Sequence, residues 1–305
     1  MAHEGRAHGR DALRWRARWL ESGEGARTGR RDVHRELPQT GRHHRTRGRH
    51  PGFLHRYAGG YPVLSLVMPY YRNPGQLALQ YDTWTRWPAA AKTQFEVVIV
   101  DDGSPEPAIA VDRPDGLPTL SIYRVLEDRP WHQHAARNLG AHVARGPWLL
   151  LTDMDHVLKA EAARALFKRM GRLDPETAYF LHRIDADTGE PTIGTDGKSK
   201  PHPNSFIMTR DLYWQAGGYD EDYCGIYGTD GLFKKRLFGV AARGFLKHVP
   251  LIRYSRDVIP DASTSTLPRK EGRDPGAKRA VAAAKAARGT ADQVTTLNFP
   301  WERVL

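Results

Sequence analysis

Trp148-Leu149-Leu150-Leu151-Thr152-Asp153-Met154-Asp155-His156 is an apolar strand that runs directly into two carboxylates one residue apart. Alternation along an extended chain puts residues i and i+2 on the same side, so Asp153 and Asp155 can address one point in space. That arrangement suits a hard divalent cation, because Mg²⁺ or Mn²⁺ takes oxygen ligands and keeps positions open for water and substrate phosphates. By the same alternation His156 faces the opposite side. The pattern is short and also occurs at solvated strand ends, so its neighbours decide what it means.

About fifty residues upstream, Phe95-Glu96-Val97-Val98-Ile99-Val100-Asp101-Asp102-Gly103-Ser104 has the same grammar: a β-branched apolar run, then carboxylates and a turn. A run this apolar, without alternation, predicts a strand buried on both faces, as in parallel sheets. In open α/β sheets ligands bind outside the carboxyl ends of the strands, so Asp101, Asp102, Asp153 and Asp155 are expected along one rim. A third run, Val63-Leu64-Ser65-Leu66-Val67-Met68-Pro69-Tyr70-Tyr71, leads into a helical stretch from about Pro74 to Trp87, with Leu77 and Tyr81 four residues apart. The order of strand, helix, strand, helix, strand predicts an α/β fold.

Five pieces in sequence order carry a resemblance to a known family. They are Leu66-Val67-Met68-Pro69-Tyr70-Tyr71, the Asp101-Asp102-Gly103-Ser104 strand, Ala136-Arg137-Asn138-Leu139-Gly140-Ala141 with Ala144-Arg145-Gly146, Asp153-Met154-Asp155, and Gly217-Gly218-Tyr219-Asp220-Glu221 followed by Tyr227-Gly228-Thr229-Asp230. Residues 63–255 thereby resemble an inverting, family 2-type glycosyltransferase with the GT-A fold, a Rossmann-like, mixed but mainly parallel sheet flanked by helices. The resemblance implies that Pro69 and Tyr70 of the first strand, and Asp101 or Asp102, bind the nucleotide. A carboxylate at a strand end is an acceptor-only group suited to a base N–H or a ribose hydroxyl, and Asp101 also sits where turns form. It further places Arg137 and Asn138 near the donor pocket, Asp153 on the ribose or on a water-mediated contact, and Asp155 on a Mn²⁺ or Mg²⁺ ion. A third metal ligand in such enzymes is commonly a downstream histidine, for which His248 is the candidate; neutral imidazole is competent, although these ions prefer oxygen.

Displacing a nucleoside diphosphate from an anomeric carbon requires the acceptor hydroxyl to lose its proton as it attacks, so a carboxylate base is needed on the opposite face. Asp230 is the candidate, at the start of a helix-compatible stretch to Leu237 that ends in Lys234, Lys235 and Arg236, the charge order a helix dipole favours. Relatives carry an acidic pair here, where this chain reads Thr229-Asp230. A helix cap is the competing reading of Asp230, and Asp220, Glu221 and Asp222 are alternative bases.

At 305 residues the chain accommodates one large α/β domain with appendages. Residues 1–60 hold 14 arginines, no lysine and 6 acids, a surplus of 8, which leaves 3 of the formal net charge of +11 for the other 245 residues. This basic, Arg/His-rich extension is expected to be disordered apart from a short helix over Asp11 to Leu20; its charge fits nucleic acid or an anionic membrane surface, and a leader without function is the competing reading. Residues 61–255 form the expected catalytic domain. Residues 256–305 are expected to be a loop around Asp261 to Thr266, an Ala-rich helix from Gly276 to Arg288, and an aromatic end, Leu297 to Trp301, that packs back; the resemblance implies that loops after the acceptor motif close over the donor diphosphate, where Arg253, Arg256, Arg269 and Lys270 would reach phosphates, with solvated surface as the equal alternative and none assigned individually. The lone Cys224 excludes an intrachain disulfide. No stretch reaches the roughly 20 apolar residues of a membrane span, which points to a soluble, cytoplasmic protein.

The expected partners are a nucleotide diphosphate sugar, with a UDP-sugar favoured, and a saccharide or other hydroxyl acceptor. An enzyme glycosylating hydroxymethylated bases in DNA is the alternative that the basic leader suggests. An inactive sugar- or nucleic-acid-binding module is the alternative from another class. A nucleotidyltransferase fits poorly, because Tyr70-Tyr71-Arg72-Asn73-Pro74-Gly75 is not a Gly-rich cationic loop.

Overall fold

The computed structural model describes residues 61–194, 197–255, 258–260 and 274–305. The expectations for the basic leader, for the Asp261–Thr266 loop and for Arg256, Arg269 and Lys270 lie outside the described residues. Nine strands form one sheet: β1 (Leu64–Tyr70), β2 (Phe95–Asp101), β3 (Thr119–Val125), β4 (Trp148–Leu151), β5 (His156–Val157), β6 (Thr177–Asp185), β7 (Phe206–Thr209), β8 (Ala242–Arg253) and β9 (Trp301–Arg303). Their order is β5-β8-β6-β7-β4-β1-β2-β3-β9. The ladders of β1 with β2 and β4, β2 with β3, and β6 with β8 are parallel, and those of β4 and β6 with β7, β5 with β8, and β3 with β9 are antiparallel. The helices are α1 (Pro74–Thr85), α2 (Ala89–Gln94), α3 (Gln133–Val143), α4 (Ala160–Arg169), α5 (Arg210–Gln215), α6 (Asp230–Val240) and α7 (Pro275–Ala287).

The uninterrupted apolar runs became strands covered on both faces, as their composition predicts. Leu66, Met68, Val97 and Ile99 pack against Leu77, Tyr81 and Trp84 of α1 and Leu166 of α4. Val67, Val98 and Val100 face the other way, onto Ala136 and Leu139 of α3 and Leu212, Phe233 and Leu237 of α5 and α6. Trp84 and Trp148 are fully buried, and each large apolar side chain so buried stabilises the fold by roughly 1.5–3 kcal/mol relative to exposure.

Two glycines set the approach of site elements. Gly103, in the turn after β2, has φ +88° and would place a Cβ 2.3 Å from the Glu127 carbonyl oxygen, so no side chain fits there. Gly140 lets α3 sit directly on β1, since a Cβ would lie 2.2 Å from Val67 Cγ1. Gly140→Ala gains about 1 kcal/mol of helix propensity but forces overpacking that costs about 1–3 kcal/mol. A lowered thermal midpoint is the expected result, and a variant melting at or above the parent would refute the close packing.

The expected boundary at residue 255 does not separate a distinct body. β9 joins the sheet edge against β3, and the backbone N–H groups of Leu297 and Asn298 donate to Glu221 at 2.8 and 2.7 Å. The Ala-rich helix is present as α7, capped by Asp274, and its buried Lys285 bridges Asp220 and Asp222 at 2.9 and 2.7 Å.

Candidate active site

The sheet topology gathers the polar chemistry on one edge. β4 runs parallel to β1 and β2, β6 lies two antiparallel steps from β4, and β8 is parallel to β6, so all five end their carboxyl termini at the same rim. Asp101, Asp102, Asp153 and Asp155 follow those ends.

The two aspartates at the end of β2 divide their work. Asp101 Oδ1 accepts from the Ser104 N–H at 2.7 Å and Oδ2 from Ala108 N–H at 2.9 Å, so its carboxylate shapes the turn and has little capacity left for a ligand. Asp102 Oδ1 is buried without any partner, and burial together with the charge of Asp101 pushes its pKa well up. Of the pair, Asp102 is the side chain with an unmet acceptor. Tyr70 is fully buried and its phenol donates to the Glu106 carbonyl at 2.9 Å, so only its neighbour Tyr71, bonded to Asp128 at 2.8 Å, lies partly open; Pro69 sits in the ladder opposite Val100.

Helix α3 supplies the polar centre. Arg137 is fully buried, ion-paired with Asp153, bonded to Gln133 Oε1 at 3.2 Å and stacked 5.5 Å over the Tyr219 ring. Burial alone would lower its pKa, but the charge of Asp153 and the neighbouring Tyr219 and Asp230 more than offset this and raise it. The expectation that Asn138 binds donor is corrected: its amide donates to Tyr219 O and Glu221 Oε1 and accepts from Tyr213 OH and the Tyr219 N–H, at 2.5–2.9 Å, which fills all four positions. Asn138 clamps α3 to the Gly217–Glu221 loop.

Strand β4 ends at Leu151, and Asp153 to His156 form a turn closed by a 3.1 Å bond from His156 N–H to Asp153 O, so strand alternation does not govern these residues. His156 consequently comes back beside Asp155, Nδ1 to Oδ1 at 2.7 Å, instead of facing away. Burial tends to raise the Asp155 pKa, but the hydrogen bond and charge of His156, with Arg253 behind it, outweigh it and hold the carboxyl well below the usual range. His202 Nδ1 accepts from the Asn204 N–H, so its proton is on Nε2, which points to Asp153 Oδ2 at 3.3 Å. The His156 and His202 rings lie 4.2 Å apart and tie the two aspartates into one cluster. Burial, followed by the nearby His156, drives the His202 pKa far down, so this imidazole is neutral.

His248 is not brought to this cluster. Leu181 faces Leu246 and the next residue, His182, faces Pro250, so Lys247, His248 and Val249 form a bulge on β8 and His248 is exposed. The third-ligand expectation for His248 is therefore corrected, and the histidines actually beside the aspartates are His156 and His202.

Asp230 begins α6, with its carboxylate 3.5 Å from Gln133 Nε2 and 3.9 Å from His134 Nε2. Burial works against ionisation, yet His134, Arg137 and Asn204 together bring its pKa down to about 2. A path of polar contacts thus runs from Asp230 through Gln133 and Arg137 to Asp153. The alternative bases are tied up elsewhere: Asp220 and Asp222 on Lys285, and Glu221 on Asn138 and the C-terminal segment. Cys224 is no nucleophile, since burial pushes its thiol up to about 12. Sequence patterns did not single out Gln133, His134 or His202.

No group of three or more His, Cys, Asp or Glu side chains arranged to hold a metal ion occurs among the described residues. The residues nonetheless fit Mg²⁺ or Mn²⁺, which often binds through one or two carboxylates with water and substrate phosphates completing the shell. Asp155, ionised and partly open, is the carboxylate available for that.

Comparisons with known proteins place the chain in a family. Residues 65–227, more than half of the chain, match the family model described as Glycosyl transferase family 2. An uncharacterized glycosyltransferase of Haemophilus influenzae is 27% identical over 122 residues, covering 39% of this chain and 38% of its own. Validoxylamine A glucosyltransferase of Streptomyces hygroscopicus subsp. jinggangensis is 27% identical over 212 residues, covering 55% of this chain and 50% of its own. The chain thus spans half or less of the length of these curated relatives. Among solved structures, S. aureus TarS 1–349 in complex with UDP-GlcNAc aligns with TM-score 0.54 at 16% identity, over 72% of this chain and 65% of that one, and the UDP complex with TM-score 0.51 at 16% identity, over 63% and 60%. Those likenesses show the GT-A fold, and the extent of the family match means that this chain belongs to glycosyl transferase family 2.

Proposed function

We propose that the protein transfers a sugar from a nucleoside diphosphate sugar to an acceptor hydroxyl, by direct displacement with inversion. The observation that carries this reading is an ionised Asp230 linked through Gln133 and Arg137 to the Asp153–Asp155 cluster, so that a base and a donor site share one polar network. Asp102 offers its unmet acceptor to the nucleoside, and Asp153, fixed by Arg137 and His202, orients the ribose or its bound water. Asp230 takes the acceptor proton as the new glycosidic bond forms. Asp155 would hold a divalent cation, which would supply charge neutralisation for the leaving diphosphate. UDP-sugars are the first donors to examine, because TarS is seen with UDP and UDP-GlcNAc. A glucosyl donor is the next to examine, from the name of the Streptomyces relative.

Incubating the full chain with UDP-, GDP- and dTDP-sugars and Mn²⁺ should release nucleoside diphosphate from one donor class, with the product anomer opposite to that of the donor by NMR. Retention of configuration would overturn direct single displacement, and silence across all donors would overturn the donor site itself.

With no all-protein cage, Mn²⁺ should bind weakly alone and more tightly with nucleoside diphosphate present, by roughly 5–150-fold for a typical coupling of sites. Calorimetric titration of Mn²⁺ with and without UDP reads this directly, and Asp155→Ala should erase the difference. Tight nucleotide-independent Mn²⁺ binding would contradict it.

A further inference from the structure

Arg183 belongs to none of the roles assigned above, yet the fold carries it to the catalytic rim. It lies near the carboxyl end of β6, which is parallel to β4. Alternation puts Arg183 and Asp185 on one face of the sheet. In the ladders Asp185 faces Arg253, and Arg253 faces His156, the residue bonded to Asp155. Arg183, Asp185, Arg253 and His156 therefore stand side by side next to the proposed metal carboxylate.

The two arginines are poorly satisfied there. Arg253 reaches Asp185 only at 3.8 Å. Arg183 is half-buried, its Nε is sealed from water with no hydrogen-bond partner, and no carboxylate lies within 4.0 Å of its guanidinium among the described residues. A sealed guanidinium N–H without an acceptor is costly and like charges repel, so an anion joining the pair would stabilise it. The planar fork of arginine matches phosphate oxygens bidentately. Burial and Arg253 lower the Arg183 pKa, whereas the charges of Asp155 and Asp185 raise it, which places all four groups within one electrostatic neighbourhood.

We propose that Arg183 and Arg253 form an oxyanion clamp for the diphosphate of the donor, beside Asp155. This rests on the donor-site reading above and assigns residues to the leaving group. As the bond between the anomeric carbon and the diphosphate oxygen breaks, its electron pair moves onto that oxygen, the acceptor oxygen bonds to the carbon, and the acceptor proton goes to Asp230. The charge that develops on the diphosphate then lies against two fixed cations, where preorganised charge is most effective.

The test is calorimetric and needs no turnover. Inorganic pyrophosphate, UDP and uridine are titrated, with Mn²⁺ and with chelator, into the full chain and into Arg183→Gln, Arg183→Lys and Arg253→Gln. Loss of a charge-assisted hydrogen bond predicts about tenfold or more weaker pyrophosphate and UDP binding in Arg183→Gln, with uridine unchanged. Arg183→Lys should recover only part, because it keeps the charge and lacks the fork. Unaltered pyrophosphate affinity in Arg183→Gln overturns the clamp, as does a parallel loss of uridine, which would indicate a damaged fold. Uridine binding without pyrophosphate binding in the parent overturns the clamp while leaving the donor site standing. Arg183-dependent pyrophosphate binding without uridine binding supports the clamp and removes the uridine donor instead.

Discussion

Asp230→Asn is expected to reduce sugar transfer by about 10²–10⁴-fold, the usual contribution of a positioned general base, and to leave nucleotide binding intact. Asparagine keeps the shape and can still meet Gln133, so what is lost is the proton acceptor. The acid limb is informative too. Asp230 has its pKa lowered from 3.8 to about 2, so it is ionised across the neutral range. Because the folded value is the depressed one, the associated stability is present above about pH 4 and is lost as pH falls through 2. The pH profile of kcat/KM should therefore show no Asp230 limb above about pH 3. So acidic a carboxylate is a weak base toward a free hydroxyl, which places proton transfer late, after the attacking oxygen has begun to bond to carbon. Steady-state kinetics of the variant decides the matter: a rate within tenfold of the parent would remove Asp230 from the chemistry.

How far the sequence reaches is best judged from individual residues. β1, β2 and β4 were legible because an apolar run without alternation has few homes other than a sheet covered on both faces, and the helix at Asp230 was legible from its charge order. His156 misled because alternation was extended past Leu151, where the chain turns; a strand end is set by hydrogen bonds to β1 and β7 that the local sequence does not encode. His202 carries no local pattern, and reaches Asp153 only because β7 is laid against β4. His248 looked suitable because the bulge on β8 is invisible in a run of twelve residues that reads as one strand. Asn138 matched the family pattern and proved to be a clamp, a reminder that a shared motif fixes geometry as often as it binds ligand. The C-terminal segment reads as an appendage, but Glu221 and the β3 edge draw it into the domain.

Arg137→Met should be the most destabilising single change in the site. Arg137 is fully buried while Asp153 keeps 28% of its side chain exposed. Removing one partner of a buried pair costs about 3–5 kcal/mol, and partial exposure of the survivor puts the expectation at the lower end, about 3 kcal/mol. For a domain of this size that corresponds to a fall of roughly 6–12 °C in the thermal midpoint. The cost arises chiefly from an unpaired Asp153, which gives two checks. Stability of Arg137→Met should recover as pH falls from 7 to 5, because its stranded carboxyl can then take a proton; in the parent, burial already pushes the Asp153 carboxyl above its ordinary value against the pull of Arg137, so the gain on acidification should be larger in the variant than in the parent. Arg137→Met with Asp153→Asn should be more stable than Arg137→Met alone, since deleting both charges removes the uncompensated one. Neither variant should transfer sugar, because Gln133 and Asp153 lose the group that holds them in register with Asp230. Thermal and urea melts of the four members of this cycle settle it. A single variant within 1 kcal/mol of the parent, or a double variant no better than the single, would mean that Arg137 is held by Tyr219 and Asn204 and not by the charge of Asp153.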